Sequence, residues 1–120
     1  MAIDLDDLPH TESAHDFVGA DHGDVPFSII LVHAAPGVGP RVHRHPYPEV
    51  FVLESGEGTF RVGDDEIVAS GRRVLVAPSM VPHGFTNTGT TELRLTAIHG
   101  APRFDTEWIE EADPAWTSRR

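Results

Sequence analysis

Residues 37–56 read GVGPRVHRHPYPEVFVLESG, and this stretch decides how the remainder of the chain is understood. His43 and His45 stand two apart, so in an extended segment both imidazoles leave the same strand face. Pro46 and Pro48 interrupt that strand and let the chain turn before Glu49, which returns a carboxylate toward the same point. The apolar run after Glu49 reads as another strand, stopped by Ser55-Gly56. A further imidazole is available far along the chain at His83, next to Pro82.

Three imidazole nitrogens and one carboxylate oxygen form a borderline-hard donor set. It suits one divalent transition metal per chain (Fe, Mn, Ni, Co or Zn) without choosing among them. A six-coordinate ion would keep two positions open for water, dioxygen or an oxyanion. Taken singly, a His-x-His pair or an exposed glutamate means little. Without a cation, four polar groups in an apolar barrel would each cost about 1–3 kcal/mol.

Outward from this segment the pattern is of short strands. FSIILVHAA, from Phe27, is an apolar run ended by Pro36-Gly37. Thr59–Val62 and Glu66–Ala69 read as a hairpin around Gly63-Asp64-Asp65, and VLVA precedes Pro78. PHGFTN and ELRLTAIH follow as two more strands. With 10 prolines and 11 glycines in 120 residues, the chain predicts one all-β domain, a sandwich or barrel. Residues 1–25 read as a polar arm with a possible edge strand through Ile3 and Leu5. Residues 26–104 form the barrel, and residues 105–120 a tail in which Asp105 caps about two helical turns.

The composition removes several function classes. Nine arginines and no lysine face 19 acidic residues, a formal charge of −10, so no basic face exists to displace phosphate counterions and nucleic-acid binding is not expected. Without cysteine there are no disulfides, thiolate metal sites or thiol nucleophiles. Without lysine there is no Schiff-base nucleophile. The acidic start MAIDLDDLPH and the lack of any run near the ~20 apolar residues that span a bilayer predict a cytoplasmic protein with no membrane partner.

The spacing in residues 37–56 resembles the first signature motif of the cupins: a glycine, then His43, His45, Glu49 and Gly56, each at the motif's interval. Gly71, Pro78, His83 and Asn87 are similar to the second motif. Two departures stand out: Met80 occupies a usual glycine position, and the Gly71–Pro78 gap is one residue longer than usual. The resemblance implies a jelly-roll β-barrel with His43, His45, Glu49 and His83 as metal ligands, and pairing into homodimers. It implies an enzyme acting on a small oxygenated organic molecule, foremost a dioxygenase-like oxidoreductase, with Glu49 able to serve as general base. The alternatives are a metal-assisted isomerase or cyclase, and a ligand-sensing module without turnover.

Six further residues are candidates for the pocket or its surroundings. Tyr47 sits between two ligands, and Phe51 and Phe85 read as barrel lining together with Leu53, Phe60 and Val76. Asn87 is a motif residue without an assigned metal role. His33 and His99 end two apolar strands; if Ile29, Leu31 and His33, or Leu93, Leu95, Ala97 and His99, face inward, either imidazole reaches the barrel mouth. His10, His15 and His22 in the arm, and Trp108 and Trp116 in the tail, are read as solvated and packing residues respectively.

Overall fold

The computed structural model describes residues 1–110 and 116. Ten strands are defined among them: β1 (Ala14–Phe17), β2 (Ser28–Ala34), β3 (His43–Arg44), β4 (Glu49–Ser55), β5 (Glu57–Val62), β6 (Asp65–Ser70), β7 (Arg73–Ala77), β8 (His83–Asn87), β9 (Leu93–His99) and β10 (Glu107–Trp108). They form two five-stranded antiparallel sheets, in the orders β1-β2-β9-β4-β7 and β10-β3-β8-β5-β6. From β2 onward the chain changes sheet at every connection except the β5–β6 hairpin, which folds it into a jelly-roll barrel. Among the described residues no helix is long and apolar enough to cross a bilayer.

Alternation along the strands sets the interior. Ile30 and Val32 of β2, Phe51 and Leu53 of β4, and Leu93 and Leu95 of β9 point inward and are buried. Phe60 stacks on Phe85 at 5.2 Å between ring centroids, and Phe51 meets both rings edge-on. Each such side chain contributes about 1.5–3 kcal/mol by leaving water. The β5–β6 connection tightens to Gly63-Asp64: Val62 pairs with Asp65, and Gly63 takes φ 60°, the positive angle a two-residue hairpin turn demands at its first position. Gly56 is likewise obligatory, because at φ 90° a Cβ would stand 2.7 Å from the Glu92 carbonyl oxygen.

Several expectations are corrected. The arm's strand is Ala14–Phe17, paired with β2, while Leu5–Asp7 is a 3-10 turn, so Ile3 and Leu5 make no edge strand. In β2 the inward phase is Ser28, Ile30, Val32 and Ala34, which turns Ile29, Leu31 and His33 away from the interior. Both phases are apolar in the sequence, and pairing with β1 and β9 decides between them. Val76 is outward and 54% exposed; Leu75 and Ala77 take the inward places on β7. Residues 105–110 carry no helix: Glu107 and Trp108 pair with Arg44 and His43 of β3. A segment this short is marginal as a helix, and strand pairing plus a two-point Arg44–Glu107 ion pair, at 2.8 and 3.0 Å, offers it better partners. The remainder of the proposed helix lies outside the described residues.

Candidate metal centre

Two pairs of strand partners face each other across the barrel. On one sheet His43 of β3 is opposite His83 of β8; on the other Glu49 of β4 is opposite His99 of β9. His45 leaves β3 on the same side as His43, and the Pro46–Pro48 crossing carries the chain to the opposite sheet, where Glu49 points back inward. One donor atom each from His43, His45, Glu49 and His83 lies within 4.8 Å of the others, and all four side chains are buried. Glu49 Oε1 is 3.1 Å from His45 Nε2 and 3.0 Å from His83 Nε2, and its Oε2 is 3.2 Å from His99 Nε2.

The hydrogen bonds on the far side of the rings fix their tautomers. Nδ1–H of His43 donates to the Arg41 carbonyl at 2.6 Å, that of His45 to the Asp105 carbonyl at 3.0 Å, and that of His83 to the Val81 carbonyl at 2.9 Å. His43 and His45 then present the Nε2 lone pair inward, the form a cation requires, while His83 Nε2 donates to Glu49 Oε1 at 3.0 Å a proton that a cation would displace. His45 Nε2 is buried with no hydrogen-bond partner of its own. Inward lone pairs converging on a carboxylate repel one another unless a cation or protons lie between them, so this donor set fits a divalent metal.

Electrostatics sharpen the point. Burial opposes charge on Glu49, but the surrounding His99, His45 and His83 outweigh it and hold the carboxyl well below its usual range. Burial and the neighbouring His83 push His43 down to about 4, leaving it neutral and able to ligate. For His83 burial is again the largest influence, yet Glu49 prevails and raises it. Burial also raises the Tyr47 phenol, which stays protonated.

Beside these groups lies a small cavity, with about 20 Å³ open to water, bounded by Ile30, Val32, Phe85, Ala97, Trp108 and Trp116 as well as by His43, His45, Glu49, His99 and Thr106. This is room for one or two waters or a small group in their place. The wall is apolar apart from the centre itself, and Thr106 is its other polar contributor.

The other candidates separate clearly. Tyr47 and His99 join the centre through a 2.9 Å contact between the phenol oxygen and His99 Nδ1. Phe85 lines the cavity, whereas Phe51 packs behind it, 6.0 Å from the His83 ring. Asn87 does not reach the pocket: its amide donates to the carbonyls of Ala34 and Thr91 and accepts from the Gly89 N–H, tying together the loops at the end of β8. His33 is on the outer face, with its Nε2 3.1 Å from Nδ1 of His15. His15 is therefore a packed and partnered residue, contrary to the solvated reading.

The tail reaches the centre. Asp105 offers its carbonyl, not a helix cap; the Trp108 ring lies 4.8 Å from His43, and Phe104 meets His99 edge-on at 4.9 Å. A signal for this exists in the sequence, since Phe104, Thr106 and Trp108 alternate with Asp105, Glu107 and Ile109, a strand period in which the first set is the less exposed.

Residues 30–99 match the Cupin domain family, and the chain belongs to it. No curated relative matches the sequence. Among solved structures, an oxalate oxidase superposes with a TM-score of 0.75 at 17% identity, over 91% of this chain and 63% of that one. An uncharacterised conserved protein with a double-stranded β-helix domain from Klebsiella pneumoniae gives 0.71 at 16%, over 92% of this chain and 97% of that one. An oxalate decarboxylase variant from Bacillus subtilis gives 0.71 at 18%, over 83% and 29%. The chain thus spans less than two thirds of the oxalate oxidase, and identities this low establish the shared fold alone.

Proposed function

We propose that this chain is a metal-dependent cupin enzyme acting on a small oxygenated organic molecule, with oxidoreductase chemistry of the dioxygenase type. The observation that carries the reading is the convergence of His43, His45, Glu49 and His83 within 4.8 Å, three of them rings whose Nδ1 atoms are already committed to backbone carbonyls. A transition metal held by these groups supplies Lewis acidity and, as iron or manganese, one-electron chemistry. The chain's own part is to offset one of the ion's two positive charges with one carboxylate, keep bulk water out with an apolar wall and limit the occupant's size. A cavity this small favours a molecule of a few heavy atoms over an aromatic one. The activities named for the oxalate oxidase and oxalate decarboxylase point to the same scale of substrate.

Oxygen uptake by Fe(II)- and Mn(II)-loaded protein tests the reading, with two- to four-carbon hydroxy, keto and dicarboxylic acids set against diketones and catechols. Turnover confined to the small acids and lost in Glu49→Ala is expected. Binding without turnover under every metal would replace the enzyme with a sensing module. Metal-assisted isomerisation is the second reading, favoured by Glu49 itself, an ionised carboxylate inside the cavity that can accept a proton. Product analysis under nitrogen separates it from oxidation.

We also infer that a second copy of this chain covers β7. Among the described residues that strand ends its sheet with one side of its backbone unpaired, and its outward Val74 and Val76 are 65% and 54% exposed. Sedimentation should show a dimer that Val74→Glu with Val76→Glu dissociates; a monomeric native chain would overturn this.

A further inference from the structure

We infer that His99 is a positioning residue rather than a metal ligand: held by Tyr47 in the Nε2–H tautomer, it donates to Oε2 of Glu49 and leaves Oε1 as the oxygen facing the metal. The inference rests on the metal-centre reading above and specifies how its carboxylate is presented.

Three observations support it. First, His99 differs from its three neighbours in what holds its outer nitrogen. His43, His45 and His83 each meet a carbonyl, which can only accept, whereas His99 Nδ1 meets the Tyr47 hydroxyl at 2.9 Å. That hydroxyl oxygen already accepts the Asp105 N–H at 3.3 Å, and among the described residues the acceptor within reach of its own proton is His99 Nδ1. The reverse assignment would bury an O–H without an acceptor.

Second, the carboxylate is divided. Oε1 faces Nε2 of His45 and His83, while Oε2 faces Nε2 of His99 at 3.2 Å. With Nδ1 taken up by the Tyr47 O–H, the ring proton of His99 is on Nε2, where it faces Oε2 and attracts it. Third, His99 stands outside the set of donor atoms that lie within 4.8 Å of one another, although it is only 1% exposed; its buried Nε2 makes no hydrogen bond elsewhere or in full geometry here, and the acceptor at 3.2 Å that a small turn of the ring would bring into line is Glu49 Oε2. A donor of this kind restrains a ligating carboxylate to one-oxygen coordination, and removing such a support commonly weakens metal binding 10–100-fold.

The test uses imidazole nitrogen NMR on metal-free protein and zinc affinity measured by competition with a chelator. Metal-free protein should show His43 and His45 as Nδ1–H tautomers and His99 as Nε2–H. His99→Leu should weaken zinc binding roughly 10–100-fold. His99→Gln, whose amide can still donate to Oε2, should retain affinity within a few-fold, and Tyr47→Phe should remove the tautomer preference of His99. An Nδ1–H form of His99, native affinity in His99→Leu, or one fewer nitrogen around the bound ion in His99→Gln by X-ray absorption would each overturn the assignment. Should His99→Leu fail to fold, the NMR spectrum and Tyr47→Phe decide. A native chain that binds no metal sinks the metal-centre reading, whereas native binding with His99 in the other tautomer sinks only this proposal.

Discussion

Glu49 and His99 are direct partners across the β4–β9 ladder, and their side chains meet again inside the barrel with Oε2 and Nε2 3.2 Å apart. The ladder fixes their backbones, so the carboxylate has little freedom to swing away from the imidazoles it faces. This rigidity makes the centre's behaviour predictable, because a change at one group is met by neighbours that cannot relax far.

Metal binding should be stoichiometric and strongly linked to folding. One zinc or manganese per chain is expected in a titration of chelator-treated protein, with the stoichiometry falling toward zero in His45→Ala with His83→Ala. At an ion concentration 100-fold above Kd the native chain should gain about 2.7 kcal/mol, seen as a rise in Tm that EDTA reverses. Full metal content in the double variant would show that the ligands lie elsewhere.

Acid should destabilise the metal-free protein through His43. The unfolded chain protonates this imidazole near 6.5 and the folded chain only at about 4, so between those values protons favour the unfolded state. Its contribution is therefore complete above pH 6.5 and is lost as pH falls to 4, a change of at most about 3 kcal/mol. His83, shifted upward, acts in the opposite sense. Urea melts of native protein and His43→Gln in EDTA isolate the effect: the variant should have the flatter slope across this window, and equal slopes would refute the cause given.

Met80 provides a backbone test. It adopts φ 65°, a left-handed angle, and donates its N–H to the His45 carbonyl at 2.7 Å. The side chain is 48% exposed, so little packing repays the strain. Met80→Gly should be stabilising by up to about 1 kcal/mol, the relief of the left-handed angle less the entropy of glycine. Met80→Pro should be strongly destabilising, because it forbids the angle and removes the donor. A thermal melt of each checks the signs.

Phe85 couples the core to the cavity. It stacks on Phe60, meets Phe51 and Trp116 edge-on, and forms part of the pocket wall. Phe85→Ala should cost about 3–5 kcal/mol in a denaturant melt, and the surviving folded protein should admit larger ligands. By contrast, Glu107→Gln, which removes a solvent-exposed partner of Arg44, should cost no more than about 1 kcal/mol in the same melt.

Local patterns along the chain were enough to specify the class of fold and the four converging donors. Strand-length apolar runs closed by Gly or Pro are a local signal, and the intervals from His43 to Glu49 are short enough for spacing to carry meaning. The departure at Met80 was also readable, and the chain answers it by placing methionine in the conformation that glycine would take. The rest depends on which strands lie side by side. Ile29, Leu31 and His33 are as apolar a set as their alternates, so only the pairing of β2 with β1 and β9 could assign them to the outer face. Asp105 to Ile109 suits a helical turn or a strand, and Arg44 with the β3 backbone selects the strand. His99 enters the centre because β9 lies beside β4, a neighbour relation between residues 50 positions apart that no local pattern of side chains encodes.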